Sequence, residues 1–357
     1  MMTSNCPSWP LQDLSHQQYP GLRSGPTFQR PPPQLNGLTA LDQRSRRRRP
    51  GRLSTPVPSV PCALDGVRVR RMGMRDLQTV KTLMRSEGWN VDFGNMAAVF
   101  RIQPAAFFVV ETATGDVIGH CSACVLDKEV AMLSYLLVDN QHQKQGLGSL
   151  LMQAAALVLG SRTICFYSVE DAIPFYEKRG FQKRRFQALV RDFSLAHEDF
   201  DHLSPPMTFS IFKSSAVDFS DVNAYDKIVH GIERGEYLRK WILGSQNVSF
   251  VALESTSDRV IGYISMSFAS GRWDINPLYA DSDDVALHLL KRAAEEVGEP
   301  IRTYVRIPAD SSSAIRLFQR LRDVQHHRVL YMMSDRPLRE ISSDKIYSLS
   351  TVCYGLV

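Results

Sequence analysis

Residues 1–62 contain no lysine and no glutamate, and the chain as a whole contains no apolar run long enough to cross a bilayer. A membrane-spanning helix needs about eighteen or more consecutive apolar residues, so that class is excluded. Cysteine is sparse: Cys6, Cys62, Cys121, Cys124, Cys165 and Cys353 lie scattered through 357 residues with no framework spacing. No secretory signal is evident ahead of them, and the expected compartment is a reducing one, the cytoplasm or the nucleus. Cys121 and Cys124 fall in an apparent strand, where an odd separation puts them on opposite faces and argues against a shared metal or disulfide. The folded part also lacks any excess of charge. Eight arginines and two aspartates sit in residues 1–62, leaving 34 basic and 35 acidic groups in the remainder. The net charge of +5 therefore belongs to the tail, and the rest gives no compositional argument for nucleic-acid binding.

The tail has what the remainder lacks. Eleven of the nineteen prolines precede residue 63, and apolar periodicity is missing there. Residues 1–64 are expected to be disordered, since they cannot bury enough surface to offset the entropy of ordering them. Arg44, Arg46, Arg47, Arg48 and Arg49 form a basic cluster. It suits a nuclear address, an anion contact, nucleic acid or a solvated linker. The tail is Arg-rich and acid-poor like a mitochondrial presequence, but its prolines oppose the amphipathic helix such a segment needs.

From Val67 onward strands and helices alternate. Val67–Met72 reads as a strand, with Asp76 placed to cap the next helix. Ala106–Glu111 and Val117–Leu126 read as a hairpin joined by a Thr-Ala-Thr-Gly-Asp turn, and Val130–Val138 as a third run. Helices are expected over Ser149–Leu159 and Ala172–Arg179, with a strand at Thr163–Tyr167 between them. The class is α/β (α+β), a mixed, mostly antiparallel sheet flanked by helices. The plan then repeats. Phe107–Glu111 and Val117-Ile118-Gly119 recur 143 residues on, as Phe250–Glu254 and Val260-Ile261-Gly262. Leu150, Leu151, Ala154 and Ala155 match Leu289, Leu290, Ala293 and Ala294, and Ala172-Ile173-x-Phe175-Tyr176 matches Ala314-Ile315-x-Leu317-Phe318. Two copies of one domain are expected, over 65–197 and 205–357.

The sharpest local signal is Gln143-x-x-Gly146-x-Gly148 between a strand and a helix. Such glycines let the backbone approach a ligand and turn N–H groups inward, and the helix start adds its positive dipole end. That makes a pyrophosphate cradle, with Lys144 as a nearby cation; the same pattern also serves as a plain strand-to-helix turn. It is not a Walker loop, since no Gly-Lys-Ser/Thr follows.

About thirty residues later comes Ala172-Ile173-Pro174-Phe175-Tyr176-Glu177-Lys178-Arg179-Gly180-Phe181. The loop and this segment together resemble the GNAT superfamily of acetyl-CoA-dependent N-acetyltransferases. With Glu87-Gly88-Trp89-Asn90 and the Phe107-Phe108 strand, the resemblance narrows to proteins that join a GNAT domain to a degenerate GNAT-like one. It implies tandem GNAT folds, acetyl-CoA as co-substrate, no metal, a primary amine as partner (small molecule or lysine-like) and no membrane. It also implies that Gln143, Lys144, Gln145, Gly146, Leu147, Gly148 and Ser149 hold the pyrophosphate. Leu136, Leu137 and Val138, on a strand splayed from its neighbour, would carry the pantetheine arm and acetyl carbonyl. Tyr176 would be the general acid, against the alternative of a packed aromatic. Glu87, Trp89 and Asp92 would line the acceptor, against the alternative of a core tryptophan and two solvated acids.

Two departures from the family pattern stand out. Met132 occupies the position of the usual glutamate base, leaving Glu129, Tyr135 or water, and Val169 stands where an asparagine is common. His120 and His142 read as structural or surface residues. In the second copy Ser282, Val285 and Leu287 replace Gln143, Gly146 and Gly148, Asp283 and Asp284 fall in the would-be cradle, and Phe318 replaces the tyrosine. Negative charge opposes phosphate there. The expectation is an active first copy and an inactive second. The alternative is a lapsed acyl-CoA-binding or interaction module.

Overall fold

A computed structural model describes residues 63–357 apart from 65, 88, 90–92, 243, 245–246, 300, 340–341, 352–354 and 356–357. The tail and its arginine cluster lie outside the described residues. In the first copy, β1 (Ala63–Leu64), β2 (Val67–Arg71), β3 (Phe107–Thr112), β4 (Val117–Val125) and β5 (Val130–Val138) form an antiparallel run, and β6 (Thr163–Ser168) joins β5 in parallel. Helices α1 (Leu77–Ser86) and α2 (Phe93–Ile102) precede β3. Helix α3 (Leu147–Leu159) links β5 to β6, and α4 (Ile173–Glu177) leads to the fourteen-residue strand β7 (Gln182–Leu195).

The second copy repeats the order: β8 (Phe209–Lys213), α5 (Phe219–His230), α6 (Gly235–Ile242), β9 (Val248–Glu254), β10 (Val260–Ala269), β11 (Arg272–Ala280), α7 (Asp283–Val297), β12 (Ile301–Pro308), α8 (Ser312–Gln319) and β13 (Arg322–Ser334). A short strand, β14 (Ile346–Ser348), follows. The residues matched at offset 143 occupy the same structural places, Phe107 and Phe250 starting or crossing equivalent strands before Gly119 and Gly262.

The two copies share one sheet in the order β1-β2-β3-β4-β5-β6-β13-β7-β12-β11-β10-β9-β8. They exchange their last long strands. β13 of the second copy lies between β6 and β7 of the first, pairing Cys165–Ser168 with Ser334–Tyr331. β7 of the first lies against β12 of the second over eight residue pairs, from Ile301↔Leu195 to Pro308↔Ala188. Each exchanged strand thus satisfies the backbone edge of the other copy.

One face of the first copy's sheet packs on α3 through Val110, Ala131, Leu133, Leu151 and Ala155. On the other face, α1, α2, α5 and α6 share a core that includes Met84, Met96, Phe107, Met132, Tyr237 and Trp241. Tyr237 of α6 donates to Asn95 Oδ1 of α2 at 3.1 Å. Cys121 lies in the α3-side core and Cys124 in the opposite one, as their odd separation requires.

Three sequence expectations need correction in detail. Asp76 stands at the start of α1 without a side-chain capping bond; its carboxylate accepts from Gly73 N at 2.7 Å and from Arg70, which also grips Glu111. A charged partner outcompetes the helix terminus for the same oxygens. Helix α3 starts at Leu147, not Ser149, because Gly146 takes the left-handed turn. The segment 172–179 begins as a 3-10 turn (Glu170–Ala172), and its α-helix is only Ile173–Glu177.

Candidate active site

Strands β5 and β6 pair only at Val130–Met132 with Thr163–Cys165. Beyond Met132 they diverge, so the backbone edge of Leu133–Val138 borders an opening. A β-bulge lies in the same stretch: the β4–β5 register steps from His120↔Leu137 to Ser122↔Ser134, and Tyr135 takes φ 52. A left-handed tyrosine inside a strand is a sterically costly arrangement, of the kind that concentrates at functional sites. The bulge places Leu136 and Val138 on the α3 side, while the Leu137 side chain joins the opposite core.

At the mouth of the opening, Lys144 (φ 63) and Gly146 (φ 85) are both left-handed, which curls the loop before α3 starts. An L side chain at Gly146 would carry a strain of about 1 kcal/mol or more. The first turn of α3 presents backbone N–H groups with no partner inside the helix, together with the positive end of the dipole. Gln143 stiffens the approach, its Nε2 donating to Val138 O at 3.0 Å and Asn140 Oδ1 at 2.8 Å.

A cleft of about 350 Å³, counting its open mouth, is lined by Leu136, Val138, Gln143, Lys144, Gly146, Leu147, Gly148 and Ser149, with His142 and Phe175. Eight of the ten expected cofactor residues are thus brought together. Gln145 is exposed and Leu137 turns its side chain away, so neither lines the cleft. An added Cβ at Gly148 would meet nothing within 4 Å, so the cleft is open at that point. The loop, the helix start and Lys144 suit a pyrophosphate, and the apolar strand edge of Leu136 and Val138 suits a pantetheine arm.

Sequence reasoning missed two lining residues. His142 holds Asp139 Oδ2 through Nδ1 at 2.9 Å. Phe175, not its neighbour Tyr176, turns to the cleft. The phase of a five-residue helix decides between adjacent aromatics, and no sequence period resolves that. The Tyr176 ring is half-buried, 4.4 Å from Phe166 and 5.1 Å from Phe175 between centroids.

On the opposite face, Trp89 and Tyr135 lie ring to ring at 6.1 Å and 35°, both half-buried. Glu87 ends α1, and burial followed by the nearby Asp139 carboxylate raises its pKa. Asp92 lies outside the described residues. Met132 is fully buried, and Glu129 is exposed beside Lys128 at 3.6 Å. His120 is fully buried. Its Nδ1 meets Phe108 O at 2.8 Å, its ring stacks on Phe107, and its Nε2 has no hydrogen-bond partner among the described residues. Burial pushes its pKa down to about 4, so the ring is neutral near pH 7.

The second copy repeats the divergence and then closes it. β11 and β12 pair only at Trp273↔Thr303 and Asp274↔Tyr304. β14 enters the gap, pairing with β11 at Leu278↔Ser348 and Tyr279↔Ile346. Leu349 N donates to Arg306 O of β12, and Ala280 N to Lys345 O. In place of the glycine loop, Ser282 caps α7 by accepting from Val285 N, and Asp283 accepts from Tyr347 of β14 at 2.5 Å. Backbone and carboxylate therefore fill the space that stays open in the first copy.

Among the described residues no group of three potential ligands could hold a metal ion, and no helix is long and apolar enough to cross a membrane. Family comparison matches residues 103–183 to one acetyltransferase (GNAT) domain model and residues 222–348 to another. No curated protein matches the sequence. Among solved structures, a protein from Pyrococcus horikoshii described as an acetyltransferase superposes with a TM-score of 0.67 at 15% identity, covering 82% of this chain and 98% of its own. A tandem GNAT protein from the clavulanic acid biosynthesis pathway gives 0.57 at 16%, covering 76% and 99%. A GCN5-related N-acetyltransferase from Sphaerobacter thermophilus gives 0.53 at 14%, covering 79% and all of that chain. At these identities the superpositions speak for the fold; with the two matched domains, they make this chain a tandem GNAT protein.

Proposed function

We propose that the chain is an acetyl-CoA-dependent N-acetyltransferase, with its first GNAT domain (65–197) as the transferring one and its second (205–357) as a closed, structural copy. The observation that carries this reading is the asymmetry of the two strand openings: one is lined by a glycine loop and a helix start, the other is filled by β14.

The pyrophosphate of acetyl-CoA would rest on Gln143 to Ser149, with Lys144 opposing its charge. The pantetheine arm would follow the β5 edge at Leu136–Val138, where a backbone N–H can hold the thioester oxygen as negative charge grows on it. A neutral primary amine attacks the carbonyl carbon; the C–N bond forms and the C–S bond breaks. The proton leaving nitrogen passes to water or to Glu87, and the departing thiolate takes a proton from Tyr176, beside the lining Phe175, on condition that its hydroxyl turns from the Phe166 packing toward the cleft. Trp89 and Glu87 form the acceptor side.

A second reading, a lapsed acyl-CoA-binding or interaction module, draws on buried Met132 at the usual base position. Calorimetric titration of acetyl-CoA into the full chain and its Gly146→Glu variant, followed by an amine screen, separates the two. Saturable binding lost in the variant, with transfer to an amine, supports the enzyme. Binding without transfer to any amine supports an acyl-CoA-binding module, and no binding refutes the enzyme and leaves the interaction module.

A further inference from the structure

His142 lies outside the glycine pattern, yet it lines the cleft together with Gln143, Lys144 and the first residues of α3. Its ring is held in place. Asp139 leaves β5 with its N–H bonded to Ile118 O at 2.8 Å; its Oδ2 accepts from Gln141 N at 3.2 Å and stands 2.9 Å from His142 Nδ1. The 3-10 turn Asn140–His142 is thus closed on the same carboxylate that orients the imidazole. A carboxylate only accepts, so Nδ1 carries its hydrogen and Nε2 is the nitrogen left for a ligand in the cleft.

The charge around that nitrogen is mixed. Asp139 is the acid in contact, and Glu87 at the end of α1 is close enough to feel it. Lys144 follows two residues on, α3 adds the positive end of its dipole, and α4 adds Phe175, with Arg179 3.6 Å over its ring. A neutral imidazole would point a lone pair at a phosphate oxygen. An imidazolium would point an N–H at it, with the second N–H still on Asp139. An anion on each side of the ring favours the charged form.

We propose that His142 is a proton-gated contact to the pyrophosphate of acetyl-CoA: the ring takes a proton from solvent as the cofactor binds, and Nε2 then donates to a phosphate oxygen while Nδ1 stays on Asp139. The inference rests on the cofactor site proposed above and adds to it a residue and a pH dependence. By linkage, whatever factor protonation adds to cofactor affinity, the cofactor adds to protonation. Affinity therefore rises as pH falls through the range in which imidazole titrates, whereas the backbone N–H groups of the loop and helix start do not titrate at all. Asp139 is a positioning residue, which selects the tautomer and balances the added charge.

The test is calorimetric titration of acetyl-3′-dephospho-CoA into the full chain, in buffers of different ionisation enthalpy. That probe keeps the pyrophosphate but lacks the terminal phosphate, whose own titration near neutral pH would obscure the proton count. The dependence of the observed enthalpy on the buffer gives the protons taken up. The parent should take up a sizeable fraction of one proton, and its Kd should weaken about tenfold between about pH 6 and about pH 8. His142→Asn keeps a donor toward Asp139 but cannot titrate; it should take up no proton and bind with an affinity that is flat in pH. His142→Gln, whose amide reaches nearer the Nε2 position, should also take up none but recover part of the affinity, which separates loss of the contact from damage to the turn. Glu87→Gln should leave the proton count unchanged. No uptake by the parent, uptake that persists in His142→Asn, or uptake that vanishes in Glu87→Gln overturns the proposal. Absence of binding to the parent would instead overturn the cofactor reading beneath it.

Discussion

The Ser348 hydroxyl donates to the Ile275 carbonyl at 2.7 Å, inside the gap where β11 and β12 of the second copy part. The corresponding gap of the first copy, between β5 and β6, holds no strand among the described residues and opens onto the glycine loop. One fold thus appears twice in the chain with opposite outcomes at its characteristic opening.

The first prediction concerns stoichiometry. Acetyl-CoA should bind the full chain at one site, and Gly146→Glu should remove all of it. A fitted stoichiometry of two, or binding that survives at half amplitude in the variant, would mean that β14 yields its place to ligand.

Gly148 distinguishes room from strain. It lies in the first turn of α3 without a left-handed φ, and a methyl there would point into open space. Gly148→Ala should therefore leave the thermal midpoint unchanged or raise it slightly, since alanine favours helix by up to about 1 kcal/mol. Because the methyl would occupy the cleft, acetyl-CoA affinity should fall about tenfold, or roughly 1.4 kcal/mol. Unchanged affinity measured by calorimetry would place the ligand elsewhere.

Tyr176→Phe keeps the ring against Phe166 and Phe181 and removes only the hydroxyl. As general acid, Tyr176 should contribute about 100-fold or more to turnover. The variant should bind acetyl-CoA normally, unfold at an unchanged temperature and transfer slowly. An unaltered rate would return Tyr176 to packing alone.

Stability should fall in mild acid. His120 is held near pKa 4 by burial, against about 6.5 in the unfolded chain, and burial followed by Arg234 and Arg339 lowers His230 in the same direction. Between those values the unfolded state binds protons that the folded state refuses, so stability rises with pH across that window and is lost as pH drops from about 6.5 toward 4. Denaturant melts of His120→Asn between pH 4 and 7 should show a shallower dependence than the parent. An identical slope would assign the titration to other groups.

Much of this was legible in the sequence, and the limit falls at a physical boundary. The β2–β5 strands, the glycine loop and the 143-residue repeat are local patterns: alternation, glycine spacing and apolar faces act within a few residues, so the strands of Val67–Val138 and the turn at Gln143–Ser149 are readable without a partner. The loss of Gly146 and Gly148 equivalents in the second copy was readable in the same way.

What tertiary structure alone decided depends on groups far apart in sequence. β13 inserts between β6 and β7, and β14 enters the β11–β12 gap, because open backbone edges must find hydrogen bonds somewhere and nothing local says where. The register slip that turns Tyr135 against Trp89, the helical phase that sends Phe175 rather than Tyr176 to the cleft, and the burial that leaves His120 neutral belong to the same class. Residue types and spacings determined that this chain holds two copies of a fold with one glycine loop. Packing between the copies decided which opening stays open and what lies behind it, since desolvation and edge pairing are set by neighbours that the local sequence does not contain.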